Sequence, residues 1–218
     1  MQQARLFLDS ADIDKLKIAV ETGIVHGIAT NPNKIAQTGQ SYTLVISTIR
    51  KFFDGPISVQ AMGRNADELV RHALELHRMD KNLAIKIPCC IEGIRAIKEL
   101  VPQGVKTNCT LMFSPTQGFA AGLAGSPYVS PFVGRSESAG YDGIKLIRKI
   151  RQIYDAFNIS TCIIAASIRN AMQVTESIIA GAHAVAVTWP IFEEMINHPL
   201  TAHGYEGFES VFKGIPED

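Results

Sequence analysis

The sequence predicts an α/β fold, a single (β/α)8 barrel, from three observations. Short apolar runs alternate with amphipathic stretches along all 218 residues. Successive apolar runs begin about 22 to 35 residues apart, the repeat expected for one strand, one helix and two loops. Eight such units follow each other with no linker or low-complexity segment between them. We therefore expect one barrel domain over residues 1–218, in which about 199–218 form an extra C-terminal helical extension.

An open, doubly wound sheet is the alternative architecture for alternating strands and helices. Such sheets bind dinucleotides through a Gly-rich turn after the first strand. Here that turn reads Asp9-Ser10-Ala11-Asp12 and contains no glycine. The sequence therefore disfavours a dinucleotide site and favours the barrel.

Eight runs have the length and composition of strands buried on both faces. They are mainly apolar, and turn residues or helical patterns separate them. The predicted strands are Arg5–Leu8, Gly27–Ala29, Ile57–Val59, Ala84–Ile87, Lys106–Thr110, Tyr128–Phe132, Cys162–Ala166 and Ala184–Thr188.

Helical patterns with start and stop signals lie between these runs. After the first strand, Ile13, Leu16 and Val20 share one face, and Gly23 is placed to end that helix. After the third strand, the spacing of Asn65 and Glu68 predicts a capping box. A buried stripe should follow it, formed by Ala66, Leu69, Val70, Ala73 and Leu76.

The second half of the chain repeats this arrangement. Asn170 with Gln173 predicts a helix start, and Gly181 a helix end. Asp142 opens a helix whose basic side chains face solvent and whose predicted inward residues are Leu146, Ile150, Ile153 and Phe157. The segment after Pro199 offers one more apolar face, which either caps the barrel or reaches a neighbouring subunit: Phe208, Val211 and Phe212.

Composition excludes several classes of function. The formal net charge is zero, so there is no electrostatic reason to expect a nucleic-acid surface. No apolar run approaches the length of a membrane span, and no leader pattern opens the chain. The four cysteines have neither disulfide-framework nor zinc-ribbon spacing, which favours reduced thiols in the cytoplasm.

One lysine lies in an otherwise apolar strand. Leu83-Ala84-Ile85-Lys86-Ile87-Pro88 contains no group that could neutralise the amine. Burial penalises the ammonium form and lowers the pKa of a lysine. A neutral amine attacks a carbonyl carbon and forms a Schiff base, whereas an ammonium does not. Alternatively, the stem of Lys86 packs while its head reaches solvent.

Polar residues follow the other predicted strands at the same relative position. The carboxyl ends of barrel strands carry the chemistry in enzymes of this architecture, so these side chains should meet around one mouth. The residues are Asp9, Asn31, Gln60, Lys86, Asn108 with Thr110, Arg135, Ser167 with Arg169, and Thr188. Their convergence on one lysine favours Schiff-base chemistry.

Imine chemistry suggests a role for several of these residues. It requires an acid/base group near the lysine, and Asp9 is the only carboxylate at a strand end, although it could also cap the following helix. Gln60 and Thr110 could hold a water molecule. Asn31 and Asn108 could donate hydrogen bonds to the hydroxyl groups of a sugar.

An anion site is predicted after the seventh strand. Ser167-Ile168-Arg169-Asn170 leads into a helix N-terminus, where barrels commonly bind phosphate, and Arg135 and Arg169 supply positive charge. The histidines are scattered and no metal-ligand motif is present, so neither a metal nor a cofactor is predicted.

The motifs at the strand ends resemble a known family, the small-subunit transaldolases, a branch that includes the fructose-6-phosphate aldolases. The resemblance covers nearly the whole chain in the same order. The matching motifs are Leu8-Asp9, Thr30-Asn31-Pro32, Lys86-Ile87-Pro88, Asn108-Cys109-Thr110-Leu111, Ser130-Pro131-Phe132-Val133-Gly134-Arg135 and Ala166-Ser167-Ile168-Arg169-Asn170.

The resemblance implies a metal-free, class I mechanism on sugar phosphates. Lys86 would attack the ketone of a ketose phosphate, and retro-aldol cleavage would leave a dihydroxyacetone enamine on the enzyme. Asp9 matches the family's proton-transfer residue and Thr110 matches a residue that holds the catalytic water. Arg135, Ser167 and Arg169 match the region that grips phosphate; Thr30, Asn31, Asn108 and Phe132 complete the expected substrate site. The resemblance also implies homopentamers or homodecamers.

The two activities of the family differ at two positions, which here disagree. Gln60 stands where transaldolases usually carry Glu, and Gln is typical of the aldolases. Phe132 stands where the aldolases usually carry a proton-donating Tyr, and Phe is typical of transaldolases. Trp189 after the eighth strand is a further departure. The wider motifs around Asn108 and Phe132 favour a transaldolase.

Three other functions stay open. The first is a fructose-6-phosphate aldolase that releases free dihydroxyacetone. The second is an aldolase for another anionic head group. The third is a barrel that has lost activity and serves in binding or assembly, although Asp9, Lys86 and Thr110 are all retained.

Overall fold

Eight parallel strands close into a barrel in the computed structural model, which describes residues 4–215. Their order around the barrel follows the chain, and Arg5 to Leu8 of the first strand pair with residues 184 to 187 of the last. The strands are β1 (Arg5–Asp9), β2 (Gly27–Ala29), β3 (Ile57–Gln60), β4 (Leu83–Pro88), β5 (Lys106–Met112), β6 (Tyr128–Pro131), β7 (Cys162–Ala165) and β8 (Ala184–Val187). This confirms the predicted (β/α)8 fold, with strand ends shifted by one or two residues.

Helices follow every strand and surround the barrel. Two of them, rather than one, lie between β2 and β3 and again between β6 and β7. The helices are α1 (Ile13–Glu21), α2 (Pro32–Gln37), α3 (Tyr42–Ile49), α4 (Ala66–Met79), α5 (Ile91–Leu100), α6 (Pro115–Leu123), α7 (Val133–Ser138), α8 (Gly143–Ala156), α9 (Ala171–Ile179), α10 (Trp189–Ile196) and α11 (Pro199–Phe212). Helix α11 therefore occupies residues 199–212 of the extension predicted over about 199–218, and residues 216–218 lie outside the described part.

Two separate apolar clusters follow from the alternation of side chains along each strand. Outward-facing residues such as Leu8 and Ile57 pack under the helices in the large core. A smaller cluster fills the inside of the barrel and contains Phe7 and Ile164. The ring of Phe7 fits only because residue 27 is glycine, since a Cβ there would overlap that ring. The barrel is thus closed below its mouth by side chains.

The helix start at Asn65 differs in one detail from the predicted capping box. The Asn65 side chain accepts a hydrogen bond from the Glu68 N–H at 2.9 Å, as expected for a helix N-cap. However, the Glu68 carboxylate accepts from the N–H of Arg64 at 2.8 Å and not from that of Asn65. The reciprocal bond is therefore displaced by one residue.

The prediction that Phe157 faces inward is wrong. Helix α8 ends at Ala156, so residue 157 no longer follows the helical period. Its side chain is 67% exposed, and its ring lies 5.8 Å from the ring of Phe119 on α6.

Helix α11 has a fully exposed apolar surface. Every described residue from Ile196 to Ile215 is exposed, including Phe208 at 75% and Phe212 at 72%. One of the two alternatives for this segment was that it caps the barrel. The exposure of α11 excludes that alternative. None of the described helices has the length and apolarity needed to cross a membrane.

Candidate active site

A cavity of about 680 Å³ opens at the carboxyl ends of the strands. Its lining includes ten of the eleven predicted site residues, which therefore lie around one space as the sequence analysis expected. They are Asp9, Asn31, Gln60, Lys86, Asn108, Thr110, Phe132, Arg135, Ser167 and Arg169. We refer to this space as the active-site cavity.

Thr30 is the predicted residue whose side chain does not line this cavity. It is fully buried, and its hydroxyl donates a hydrogen bond to the Ser58 carbonyl at 2.9 Å. The backbone of Thr30 nevertheless reaches the site, because its carbonyl accepts a hydrogen bond from Lys86 Nζ at 2.9 Å. The contribution of this residue is therefore a backbone acceptor.

The amine of Lys86 lies in surroundings that favour its neutral form. Burial lowers its pKa below the ordinary 10.5, and the nearby Asp9 carboxylate opposes this shift in part. The amine donates a hydrogen bond to a neutral group, the backbone carbonyl of Thr30. No salt bridge within 4.0 Å holds the ammonium in the described part of the chain. The site can therefore supply the free amine that addition to a carbonyl requires.

Asp9 ends β1 and accepts a hydrogen bond from Asn31, which follows β2 and caps α2. Asn31 Nδ2 donates to Asp9 Oδ1 at 3.3 Å, while Asn31 Oδ1 accepts from the N–H of Lys34 and caps α2. Asp9 is not the cap of α1, since Asp12 fills that position. Its carboxylate is therefore available for proton transfer beside Lys86.

Gln60 and Thr110 lie on the strands that flank β4. Gln60 is the register partner of Lys86, and its Nε2 donates to the carbonyls of Ala61 and Lys86 at 3.1 and 3.0 Å. Thr110 is buried and pairs with Pro88. The next residue, Leu111, has φ 56°, a left-handed conformation that is rare for leucine, at an irregularity of β5. This irregular backbone adjoins the predicted water-holding threonine.

Asn108 and Phe132 complete the central part of the cavity. Asn108 Oδ1 accepts a hydrogen bond from the buried Ser130 hydroxyl at 2.8 Å, which leaves the Asn108 amide group to donate. The ring of Phe132 lies edge-on to Phe113 at 5.7 Å, and the Arg135 guanidinium lies 4.8 Å from the Phe132 ring centre.

The predicted anion-binding residues lie on two segments that are joined by backbone hydrogen bonds: Arg135 in α7 after β6, and Ser167 and Arg169 in the loop after β7. The N–H of Val133 donates to Ala166 at 2.9 Å, and the N–H of Gly134 donates to Ser167 at 3.0 Å. A Cβ at residue 134 would overlap the Ser167 carbonyl and crowd Arg169, so this close approach requires glycine. Ser167 itself has φ 59°. Arg135 and Arg169 are thus held on the same side of the mouth.

Two further residues that sequence reasoning missed fix the loop of Arg169. Gln173 Oε1 accepts from the N–H of Arg169 at 2.7 Å, and Gln173 Nε2 donates to the Glu137 carboxylate at 2.6 Å. The only sequence signal was the spacing of Asn170 and Gln173, and Asn170 does cap α9. The Arg169 N–H is therefore not available to bind an anion.

A metal site is not formed among residues 4–215, where no group of three potential ligands comes together. All four cysteines are free thiols.

A family model described as "Transaldolase/Fructose-6-phosphate aldolase" matches residues 6–215. The chain belongs to this family. Similar proteins include probable transaldolases of Leptospira biflexa, 41% identical over 203 residues, and Carboxydothermus hydrogenoformans, 43% identical over 203 residues. Each match covers 93% of this chain and 95% of the relative. The family predicted from the sequence is thereby confirmed.

Solved structures with low sequence identity share the fold. A thiamine phosphate pyrophosphorylase from Pyrococcus furiosus is 15% identical, with a TM-score of 0.60 over 89% of this chain and 94% of that one. A cube-shaped cage designed from fused oligomeric domains is 14% identical, with a TM-score of 0.63 over 97% and 78% of the two chains. These similarities support the barrel architecture alone.

Proposed function

We propose that the protein is a transaldolase that acts through a Schiff base on Lys86 and uses sugar phosphates as substrates. The observation that carries this proposal is the half-buried Lys86, whose pKa is lowered by desolvation, near the Asp9 carboxylate, in a cavity that Arg135 and Arg169 also line. Family membership supplies the reaction class.

The proposed reaction begins when the Lys86 amine adds to the ketone carbon of a ketose phosphate and water leaves as the iminium forms. Asp9 accepts the proton of the C4 hydroxyl, the C3–C4 bond breaks, and its electron pair forms an enamine. An aldehyde phosphate departs. The enamine then attacks an acceptor aldehyde, whose oxygen takes a proton, and water releases the new ketose from Lys86.

The phosphate group is assigned to Arg135, Arg169 and Ser167. Two guanidinium groups can bind one phosphate by charge-assisted hydrogen bonds, and both line the cavity within reach of its mouth. Asn31 and Asn108 are assigned to the hydroxyl groups of the sugar. The two arginines support an anion in general, so a head group other than phosphate is an alternative.

Phe132 supports transfer rather than simple cleavage. A phenyl ring has no proton to give, so the enamine formed at Lys86 persists until an acceptor aldehyde arrives. Gln60 is the observation that favours the second candidate, a fructose-6-phosphate aldolase. An amide cannot take up a proton at neutral pH, which weakens the proton handling that transfer needs. In the structure, the Gln60 amide nitrogen already donates hydrogen bonds to the backbone carbonyls of Ala61 and Lys86.

The decisive experiment measures glyceraldehyde 3-phosphate release from fructose 6-phosphate, with and without erythrose 4-phosphate as acceptor. Turnover that requires the acceptor supports the transaldolase. Equal turnover without it identifies the aldolase. In parallel, Lys86→Ala should abolish trapping of the ketose by borohydride, whereas persistent trapping would mean that another lysine is the nucleophile. An absence of both turnover and trapping would favour the non-catalytic barrel.

The exposed surface of α11 supports assembly of several copies of this chain, for which the family resemblance implies a homopentamer or homodecamer. Its aromatic and aliphatic side chains form an apolar surface of a kind that rarely stays in contact with water. The four free thiols support a reducing location such as the cytoplasm.

A further inference from the structure

Gln173, on α9, joins the two segments that carry the predicted anion-binding arginines. Its Oε1 accepts a hydrogen bond from the N–H of Arg169 at 2.7 Å, and its Nε2 donates to the Glu137 carboxylate at 2.6 Å. Glu137 lies on α7, the same short helix as Arg135. Gln173 is 8% exposed, so protein atoms rather than solvent surround most of its side chain. We call this pair of hydrogen bonds the Gln173 bridge.

The two partners of Gln173 permit a single orientation of its amide. A backbone N–H can only donate and a carboxylate can only accept, so the amide oxygen must face Arg169 and the amide nitrogen must face Glu137. The main chain is fixed as well, because the N–H of Gln173 donates to the side chain of Asn170, the N-cap of α9, at 2.8 Å. The bridge is therefore a defined contact and not one of several alternative pairings.

Comparison with α4 shows why this position holds an amide. The corresponding residue of α4 is Glu68, the third of its helix, whose carboxylate accepts from the N–H of Arg64 at 2.8 Å. A carboxylate is therefore sufficient to bond the residue before an N-cap. At residue 173 a carboxylate would lie at hydrogen-bond distance from the Glu137 carboxylate, and the two like charges would repel. Glutamine can accept from the loop after β7 and donate to α7 at the same time.

The bridge gives α7 a second point of attachment to the loop after β7. Backbone hydrogen bonds hold the start of the helix, since the N–H groups of Val133 and Gly134 donate to that loop at 2.9 and 3.0 Å. The Gln173 bridge attaches the helix again at residue 137. Arg135 therefore lies between two fixed points, and Arg169 lies on the segment to which both are tied.

The bridge also provides a partner for the carboxylate of α7. Glu137 accepts from Gln173, and among residues 4–215 neither Arg135 nor Arg169 forms a salt bridge within 4.0 Å. The positive charges of the two guanidinium groups are thus left for a bound anion.

We propose that Gln173 is a positioning residue that, through Glu137, sets the spacing of Arg135 and Arg169 and with it the affinity for the phosphate group of the substrate. This rests on the proposed function, which assigns the phosphate to these arginines. Two guanidinium groups bind one phosphate strongly when their donors converge on its oxygens, so a small displacement of either one weakens binding. Lys86 is not part of the bridge, so loss of the bridge should act on KM more than on kcat.

The test exchanges the two side chains that form the bridge. Gln173→Glu brings two carboxylates together and should raise KM for fructose 6-phosphate about tenfold, as for one lost hydrogen bond, while kcat changes less than about threefold. The double variant Glu137→Gln, Gln173→Glu reverses the bond, because the carboxylate at residue 173 can accept from both the Arg169 N–H and the amide at residue 137. It should return KM to within about twofold of the parent value.

The matched control is Gln117→Glu, at the same position of α6. The Gln117 Nε2 donates to the Cys89 carbonyl at 3.1 Å, so this variant breaks a comparable hydrogen bond on a helix without an anion-binding residue. Its KM should equal that of the parent protein. If Gln173→Glu does not fold, Gln173→Met removes both bonds without adding a charge and should raise KM in the same way. A KM that the single variant leaves unchanged, or that the double variant does not restore, would overturn the positioning role.

Inorganic phosphate separates this proposal from the proposed function. Phosphate that binds the folded chain raises its Tm, and the rise should be smaller in Gln173→Glu than in the parent protein. This result without turnover of fructose 6-phosphate would overturn the proposed function and support the positioning role. Turnover with the same KM in parent and Gln173→Glu would overturn the positioning role alone.

Discussion

The side chain of Lys86 is costly to the fold and useful to the reaction. In its charged form, the amine would donate its hydrogen bond to a neutral carbonyl, that of Thr30. Desolvation of the ammonium therefore lowers the pKa of Lys86. The same shift supplies the neutral amine for attack on a ketone. Stability and reactivity therefore make opposite demands on one residue.

Replacing this lysine should stabilise the protein. We expect Lys86→Met to raise the free energy of unfolding by about 1 to 3 kcal/mol at pH 7 while abolishing turnover. Because the folded pKa lies below 10.5, the unfolded chain binds more protons between these two values, and parent stability rises with pH there. The advantage of the variant should shrink from pH 7 to pH 10. Urea unfolding of both proteins at each pH measures it; an advantage independent of pH would contradict the assigned cause.

Phe132 is the residue at which transfer and cleavage can be exchanged. Phe132→Tyr places a proton donor beside the enamine, so acceptor-free cleavage should rise by about tenfold relative to transfer. The measurement is the ratio of the two rates from fructose 6-phosphate. Phe113→Tyr, on the neighbouring ring, is the control. An unchanged ratio in Phe132→Tyr would show that the ring does not limit protonation.

Single residues also mark where prediction from sequence stops. Nine of the ten side chains that line the cavity were predictable because an isolated polar residue at the end of an apolar strand is a local pattern, and Phe132 was expected only from the family resemblance. The Thr30 contact was not, since a backbone carbonyl has no residue-type signature. Glu137 and Gln173 are 36 residues apart, and no local period indicates their hydrogen bond.

Among the elements, α7 after β6 and the loop after β7 set the positions of the residues proposed to bind the phosphate. Their backbones meet through Val133 and Gly134, so the positions of Arg135 and Arg169 depend on one contact. The sequence predicted both arginines, but the glycine between the loops was visible only as part of a motif. The structure shows why glycine is required there, because a Cβ at residue 134 would overlap the Ser167 carbonyl.

A methyl group at this contact should separate the loops. We expect Gly134→Ala to lower stability by about 1 to 3 kcal/mol and to raise KM for fructose 6-phosphate more than it lowers kcat. Helix propensity alone predicts the opposite sign for stability, because alanine is the better helix former. Gly204→Ala in α11, where nothing lies within 4 Å of the added Cβ, is the control and should be neutral or stabilising. Thermal unfolding and steady-state kinetics provide both readouts.

Helix boundaries were the least predictable feature at this scale. The phase of α8 was read correctly for Leu146 and Ile150, both buried, and failed at Phe157, one residue past the helix end. Periodicity gives the face of a helix but not the residue at which it ends.

For the whole molecule, the eight repeated units of the sequence predicted the barrel, but they did not predict where α11 lies relative to it. An amphipathic segment after a closed barrel has two solutions, and only the structure shows that this helix leaves the barrel. Its surface is consistent with a contact between subunits.

Charging that surface should prevent assembly. We expect the double variant Phe208→Glu, Phe212→Glu to sediment as a monomer while the parent chain sediments as an oligomer, because two carboxylates cannot be buried unpaired. Glu209→Gln, on the same helix, is the control. Sedimentation velocity measures the outcome, and an unchanged oligomer would mean that another surface forms the contact.

The pairing of β1 with β8 has a consequence for how the protein is made. Arg5 donates its N–H to His183, so the barrel joins segments that leave the ribosome nearly a whole chain apart. The first of these, β1, which ends at Asp9, keeps one edge unpaired until the last strand has been synthesised. During translation, the strands already synthesised can form an open sheet. The unpaired backbone groups at the edges of that sheet can pair with strands of other nascent chains. Pairing of β8 with β1 therefore closes the barrel, covers the exposed strand edges and brings Thr188, after β8, to the cavity in one late step.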